Sequence, residues 1–429
     1  MPLRLSARQR DFASVFTGFL KMRQEESQDV AATVAEIIRR VREEGDAALL
    51  AYTKQFDRFE ATPENIRVTP QEIANALSLC QPELIKSLKV AAKRIREYSQ
   101  RQMPQDLDYI DEEDVRLGHR WTPIDAVGLY VPGGTAAYPS SVLMNAVAAK
   151  VAGVARLAMV VPSPEGKLNP ALLAAAHVAG IDEVYKIGGA QAVAALAYGT
   201  QTIAPVDKIV GPGNAWVAEA KRQVFGVVGI DMIAGPSEIL VIADAKNNPA
   251  WIAADLLSQA EHDTLAQSIL ITDDAAFADT VAQEIQKILA TLPRRDIANA
   301  SWEKYGAVLL VENWEEAGAL ANEIAPEHLE LAVESPEALL PLIRHAGAIF
   351  LGRHTPEAIG DYVAGPSHVL PTSRTARFSS GLSVFDFLKR TSLIGCTPES
   401  LAKISQYAEV LAFTEGLDAH GLSVKLRRP

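Results

Sequence analysis

Cysteine is nearly absent: Cys80 and Cys396 are the only two in 429 residues, and neither has a partner at metal-ligand or redox spacing. A thiolate zinc site and a disulfide framework are thereby excluded, a cysteine nucleophile is unattractive, and a reducing cytoplasm suits the chain best. Positive charge is also short, with 41 Lys and Arg against 53 Asp and Glu, a formal net charge of -12. Nucleic acid is not expected as a general partner, because phosphate binding needs concentrated Lys and Arg. The stretch holding Arg4, Arg8 and Arg10 is too thin to change that. No apolar run of the signal-peptide kind opens the chain. The most apolar region, 142–161, is broken by Lys150 and Arg156 and is too short between charges to span a bilayer. Internal repeats and low-complexity segments are missing as well.

What is present has the apolar and charged balance of a soluble globular protein, in a chain long enough to expect two or more domains. The N-terminal part reads as helices. Val34, Ile37, Ile38 and Val41 recur at helical spacing, and the period returns around 71–79 and 84–98. Pro104 and the acidic stretch 106–114 mark a boundary. Strand-like runs at 126–131, 157–161, 183–187 and 208–210 then alternate with helical ones at 141–152, 172–179, 190–197 and 215–224. That order argues for a parallel sheet covered on both faces. After Gly235-Pro236 the alternation restarts, with strands at 239–243, 268–271, 307–311, 329–333 and 348–351 and helices at 251–266 and 274–292. The expected fold class is α/β, with two successive parallel-sheet units. From about 382 the pattern is helical and detached, as for an arm reaching another domain or subunit.

Most of the plausible metal ligands and proton carriers sit in short islands of the second half: Gln259 with His262, Glu327 with His328, Asp361, His368, and Glu415 with His420. Asn248-Pro249 supplies an N-cap and a first-turn proline, and the helix that follows would carry Gln259 and His262 on one face. A neutral imidazole suits zinc, and an aspartate adds a hard oxygen. A glutamine is a rarer ligand, and for this pair alone a solvated helix face explains as much. Asp361 reads as a turn cap by itself, and a lone terminal histidine such as His420 reads as solvent-exposed. The Glu327-His328 pair is the best acid–base candidate, because histidine titrates near neutrality; otherwise it is a strand entry with Glu330 facing solvent. The turns Pro132-Gly133-Gly134, Gly188-Gly189 and Gly211-Pro212-Gly213 could bring backbone N–H groups to a phosphate. None matches G-x-G-x-x-G with an acidic residue about twenty positions on, and plain tight turns account for them.

Longer motifs narrow the choice. Segment 127–145, Val-Gly-Leu-Tyr-Val-Pro-Gly-Gly-Thr-Ala-Ala-Tyr-Pro-Ser-Ser-Val-Leu-Met-Asn, resembles the signature of histidinol dehydrogenases. Gly-Gly-Ala-Gln-Ala at 188–192, Gly-Pro-Gly-Asn at 211–214, Ala-Gly-Pro-Ser-Glu at 234–238 and Ser-Gln-Ala-Glu-His-Asp at 258–263 are similar to that family in the same order. So are Pro-Glu-His-Leu-Glu at 326–330, His-Val-Leu-Pro-Thr at 368–372 and Glu-Gly-Leu-Asp-Ala-His at 415–420.

The resemblance implies NAD-dependent, four-electron oxidation of L-histidinol to L-histidine through L-histidinaldehyde, the last two steps of histidine biosynthesis. It implies two incomplete Rossmann-like domains, at 121–236 with NAD contacts and at 237–381 with the metal and acid–base residues. A mainly helical region, 1–120, would pack on the 237–381 domain, and a helical arm, 382–429, would be exchanged in a homodimer. It implies Gln259, His262, Asp361 and His420 as Zn²⁺ ligands and Glu327 and His328 as the proton-transfer pair. Ser237, His368 and Glu415 would meet the substrate, which the four ligands and His328 would also border. Tyr130, Gln191 and Asn214 would touch NAD. A paralogue acting on another amino or sulfonated alcohol, a zinc hydrolase with a glutamate base, and a non-catalytic metal scaffold stay as rivals at this stage.

Overall fold

The computed structural model describes residues 2–22, 30–133, 138–181 and 183–428. Gly134 of the Pro132-Gly133-Gly134 turn and residues 135–137 of the long motif lie outside them. Two parallel sheets organise the chain. The first holds, in spatial order, Glu183–Tyr185, Arg156–Val160, Ala126–Tyr130, Lys208–Val210 and Gly229–Ile230. Taken in chain order this is 3-2-1-4-5, a doubly wound sheet one strand short of the six-stranded order. Both faces are covered, as a parallel sheet requires. Val127, Leu129, Leu157 and Met159 point into one core with helices Pro139–Ala152 and Pro170–Ala179. Tyr130, Ala158 and Val160 point into the other, with helices Gly189–Tyr198 and Ala215–Val224. The period of two along each strand therefore sorts the core into two layers.

The second sheet repeats the order. Ala307–Leu310, Gln267–Thr272, Glu238–Ala243, His328–Ala332 and Ala348–Leu351 again run 3-2-1-4-5, all parallel. Its outer edge is closed by an N-terminal strand, Leu3–Ser6, paired parallel to Ala307–Leu310. The apolar alternation of the sequence anticipates the five strands from Glu238 to Leu351 to within one residue at each end, and does not anticipate Leu3–Ser6. The repeat of topology lies in strand order and was not legible as sequence similarity.

Two expectations for the chain ends are corrected. The N-terminal helices were expected on the later unit, yet Ala31–Glu44 packs on Gly189–Tyr198, Pro70–Leu79 on Pro170–Ala179 and Pro82–Gln102 on Pro139–Ala152. They cover the first sheet; Leu3–Ser6 and helix Phe12–Met22, through Phe16 and Phe19, join the second. An amphipathic face announces that a helix packs, and says nothing of the surface it packs on. The terminal arm, in turn, is not all helix. It begins with strand Leu388–Gly395, antiparallel to Arg116–Pro123, which also pairs with Leu107–Ile110. Most of this small sheet is exposed in the single chain, so its strands carry no clean apolar alternation. Helices Pro398–Thr414 and Asp418–Lys425 complete the arm and pack on each other.

One buried ion pair braces the first sheet where two of its loops meet. Gly211 adopts φ +112°, and a Cβ there would lie 2.0 Å from the Tyr130 carbonyl oxygen, so only glycine fits. Its N–H donates to Asp231 Oδ2 at 2.7 Å, its carbonyl accepts from Lys221 Nζ at 3.0 Å, and Lys221 pairs with Asp231. Both side chains are essentially sealed from solvent, 3% and 0% exposed. Lys221→Met would leave Asp231 buried without a cation and is expected to cost about 3–5 kcal/mol of stability. A urea midpoint matching the parent's would show that the pair braces nothing.

Candidate active site

The two sheets present opposite ends to one region. Tyr130 closes strand Ala126–Tyr130, Asn214 follows the neighbouring strand Lys208–Val210 and Gly189 follows Glu183–Tyr185, so this group lies at the carboxyl ends of the first sheet. That is the crevice where doubly wound sheets bind ligands. Tyr130 is buried, and its hydroxyl accepts from the Gly189 N–H at 3.0 Å. Gly189, at φ +65°, turns the chain into its helix. Asn214 caps helix Ala215–Val224, accepting from Trp216 and Val217 N–H at 3.1 and 3.2 Å. Gln191 is buried and its Oε1 has no hydrogen-bond partner among the described residues. A buried amide oxygen left without a donor fits a crevice that receives one from a ligand.

The second group lies at the amino ends of the second sheet. Glu238 and His328 are the first residues of adjacent strands, with His328 opposite Ile239. Glu238 N–H donates to Glu327 Oε2 at 2.9 Å, and Glu327 N–H donates back to Glu238 Oε2 at 3.3 Å. His328 Nδ1 lies 3.0 Å from the Glu238 carbonyl oxygen. A carbonyl can only accept, so Nδ1 carries the proton and Nε2 is left with its lone pair in neutral His328. Nε2 is buried, has no hydrogen-bond partner among the described residues, and faces Asp361 Oδ1 at 3.7 Å and Glu357 Oε1 at 3.8 Å.

Loops and helix ends fill in the rest. Helix Pro249–Ala260 starts at Asn248, whose side chain accepts from Ala250 N–H as the sequence anticipates, and delivers Gln259 in its last turn. The helix stops at Ala260, so His262 lies in the turn beyond and does not share a helical face with Gln259; its N–H bonds the Gln259 carbonyl at 3.0 Å. Gln259 Nε2 donates to Glu357 Oε1. His368 Nδ1 gives its proton to the Asp361 carbonyl at 3.0 Å, and its Nε2 meets Ser141 Oγ at 3.2 Å, a bond from the second unit to the first. Ser237 precedes the Glu238 strand, and its carbonyl accepts from Gln267 N–H at 2.9 Å. Glu415 and His420 stand apart. Both are exposed on the arm and border a separate cleft with Ala412, Leu417 and Val424.

Burial and crowded carboxylates set the electrostatics. Burial pushes Glu327 up to about 7, with Glu238 adding to the rise and His328 opposing it. Burial alone would lower His328, but Glu327, Asp361 and Glu357 outweigh it and lift the imidazole to about 10. Asp361 is held well below the usual carboxylate range: burial opposes this, and His328 and His368 prevail. Glu357 rises to about 8, from burial first, with His328 opposing and Asp361 adding. Burial lowers both His262 and His368. His328, Glu357 and Asp361 each offer a ligand atom within 4.8 Å of the others. An imidazole nitrogen and carboxylate oxygens around an orphaned buried Nε2 are a donor set that fits a divalent cation such as zinc.

Sequence reasoning missed the acids beneath this group. Glu238, Glu330 and Glu357 are all buried, and Glu330 does not face solvent as a two-faced strand would have it. His328–Ala332 is an inner strand, buried at every position, because helices cover both sides of a parallel sheet. The available signal was a glutamate inside an otherwise apolar run. Glu357 gave none, since an acid in the first turn of a helix is ordinary.

Similarity to known proteins accords with this geometry. The histidinol dehydrogenase family profile matches residues 20–428. This chain belongs to the histidinol dehydrogenase family. It is 62% identical over 428 residues to a histidinol dehydrogenase of Rhodospirillum rubrum, covering 100% of this chain and 99% of that one. A histidinol dehydrogenase of Ruegeria pomeroyi is also 62% identical, over 427 residues, again with 100% and 99% covered. The crystal structure of the Elizabethkingia anophelis histidinol dehydrogenase superposes with a TM-score of 0.95 at 36% identity, over 99% of this chain and 98% of that chain. The chain is accordingly an oxidoreductase, and the family's reaction is the NAD-dependent, two-step oxidation of histidinol in histidine biosynthesis. The hydrolase and scaffold readings fall away. Among the described residues no helix is long and apolar enough to cross a membrane.

The pair Glu327-His328 depends on a neighbour without a side chain. A Cβ on Gly347 would lie 2.5 Å from the Glu327 carbonyl oxygen, which already accepts from Ala348 N–H. Gly347→Ala must therefore shift backbone at the pair. It is expected to cost about 1–3 kcal/mol and to lower histidinol turnover while the protein stays folded; unchanged turnover would show that the strand entry tolerates movement.

Proposed function

We propose that the crevice at the first sheet's carboxyl ends takes NAD⁺ against Tyr130, Gln191 and Asn214, and that the cluster at the second sheet's amino ends takes L-histidinol and zinc. The observation that carries this is His328: Nδ1 is committed to the Glu238 carbonyl, and Nε2 stands buried with no hydrogen-bond partner among the described residues. Gln259, His262, Asp361 and His420 would be the ligands, and Ser237, His368 and Glu415 would meet substrate. Of the ligands, Asp361 already faces His328, and Gln259 is linked to it through Glu357. When bound, zinc would act as a template for the substrate's nitrogens and add positive charge among the carboxylates.

The carboxylates that lift His328 are the ones a bound cation would neutralise, so the imidazole would be neutral in the loaded site. His328 Nε2 would take the hydroxyl proton as the carbinol hydride leaves to NAD⁺, giving the aldehyde. Glu327 takes a proton from the water that adds to the aldehyde, and His328 returns its own proton to the carbonyl oxygen, giving the hydrate and leaving His328 free to accept again. His328 then accepts a hydroxyl proton of the hydrate as the second hydride leaves to a second NAD⁺, and the carboxylic acid forms. Burial keeps both residues out of bulk water, where their protons would exchange freely.

Supporting a homodimer, the arm exposes Val410, Leu411 and Leu426 at 65%, 63% and 75%, and apolar side chains left open together mark an interaction surface. A second copy would bury it and would bring Glu415 and His420 to the cluster. The units would divide near 120, 236 and 381. The compartment would be the cytoplasm, in keeping with two free cysteines.

Purified protein given L-histidinol and NAD⁺ should form two NADH per histidinol, lose activity to a chelator and regain it with zinc. Glu327→Gln should slow aldehyde oxidation more than alcohol oxidation; equal slowing would remove Glu327 from the water step. Absence of NADH from folded, zinc-loaded protein would overturn the reading. Sharing of sites is tested separately, by mixing His420→Ala with Gln259→Ala protein. Partial recovery is expected if each site draws on two chains, and none after verified subunit exchange would refute it.

A further inference from the structure

Glu357 is 1% exposed and has no lysine or arginine partner among the described residues; its ionisable neighbours are His328, with Nε2 at 3.8 Å, and the carboxyl groups of Asp361 and Glu330. A buried carboxylate held this way costs stability unless its lone pairs are used. Glu357 uses them on the helix that carries Gln259. Oε1 accepts from Gln259 Nε2, and Oε2 lies 2.8 Å from Ser258 Oγ, whose single proton can go there or to the Asp255 carbonyl at 2.7 Å. The Glu357 N–H donates to Glu330 Oε1 at 2.7 Å. Glu330 is buried too, and burial beside Asp255 raises its carboxyl well above the ordinary range. The carboxylate of Glu357 is therefore fixed from both oxygens and from its own backbone.

The consequence falls on Gln259. A side-chain amide has a donor end and an acceptor end, and the donor end is the one turned to Glu357, where an ionised carboxylate can only accept. With its NH₂ held by Glu357, Gln259 must direct its carbonyl oxygen elsewhere, and that oxygen is the amide's ligand atom for a hard cation. We propose that Glu357 is a positioning residue: it selects the orientation of the Gln259 amide and so sets the affinity of the site for zinc. This rests on Gln259 being a ligand. Glu357 would act through Gln259, whose NH₂ it holds.

The test is a zinc-affinity cycle on the full chain, by competition with a chromophoric chelator, using parent, Gln259→Ala, Glu357→Ala, the double variant and Glu357→Gln. Glu357→Ala is expected to weaken zinc by about 10–100-fold, and the double variant to bind no more weakly than Gln259→Ala alone. Glu357→Gln keeps the volume but no longer dictates which end of the amide faces it, so it should weaken zinc by a smaller factor. It carries the comparison if the alanine variant does not fold. Unchanged affinity in the Glu357 variants overturns the proposal. So do losses that add in the double variant, which would make Glu357 a ligand in its own right. An unaltered affinity in Gln259→Ala is distinguishable from both: it would overturn the ligand assignment of Gln259, and this proposal with it.

Discussion

The pairing of strands Glu238–Ala243 and His328–Ala332 is the constraint on which the rest of the site depends. Where these inner strands begin, Glu238 and Glu327 exchange backbone-to-carboxylate hydrogen bonds, and the Glu238 carbonyl takes the Nδ1 proton of His328. Sheet register and histidine tautomer are thus settled by the same few atoms. A slip of one residue would send His328 to the other face of the sheet. Helix Pro249–Ala260 and the short helix Glu357–Tyr362 are then packed so that Glu357 and Asp361 face the buried Nε2 of that imidazole, with Gln259 bound to Glu357.

Two sheets of the same strand order serve this region with opposite polarity. The first contributes its carboxyl ends, where helix N-termini and tight turns leave backbone N–H groups free to meet a ligand. The second contributes its amino ends, where the last turn of a helix and the entries of strands place side chains instead. The Ser141–His368 hydrogen bond spans the two units, and Lys208 ties the first unit to the start of the arm through the Asp386 carbonyl at 2.7 Å. Helices Ala31–Glu44, Pro70–Leu79 and Pro82–Gln102 stiffen the first sheet from outside. Their role is a scaffold for the cofactor side under the reading proposed above.

Crowding of acids around one imidazole has a clear electrostatic logic. Glu327, Glu357 and Asp361 all stand within 4 Å of a His328 ring nitrogen, and burial makes each mutual repulsion stronger than in water. Two of these carboxylates respond by holding protons to higher pH, and the third is kept ionised by its histidines. Such an arrangement is poorly suited to rest as it stands and well suited to receive positive charge. This is the physical reason for reading the cluster as a cation site.

The sequence alone determined the alternating elements, because burial on both faces leaves apolar runs of strand length between helical periods. Lys208–Val210 and Ala215–Val224 fall where that pattern puts them. The sequence also named the residue islands, since Gln259 and Glu327-His328 stand in motifs too long to arise from packing needs, while Asp361 by itself reads as a turn cap. It could not place Leu3–Ser6 in the second sheet, nor the helices after it on the first, because an apolar face does not specify its partner. It could not find Glu357, whose position reads as a helix start until Gln259, nearly a hundred residues earlier in the chain, is folded against it. Tertiary structure decided these matters because desolvation and hydrogen-bond satisfaction are properties of a neighbourhood, and neighbours in space were set by strand order that no local pattern records.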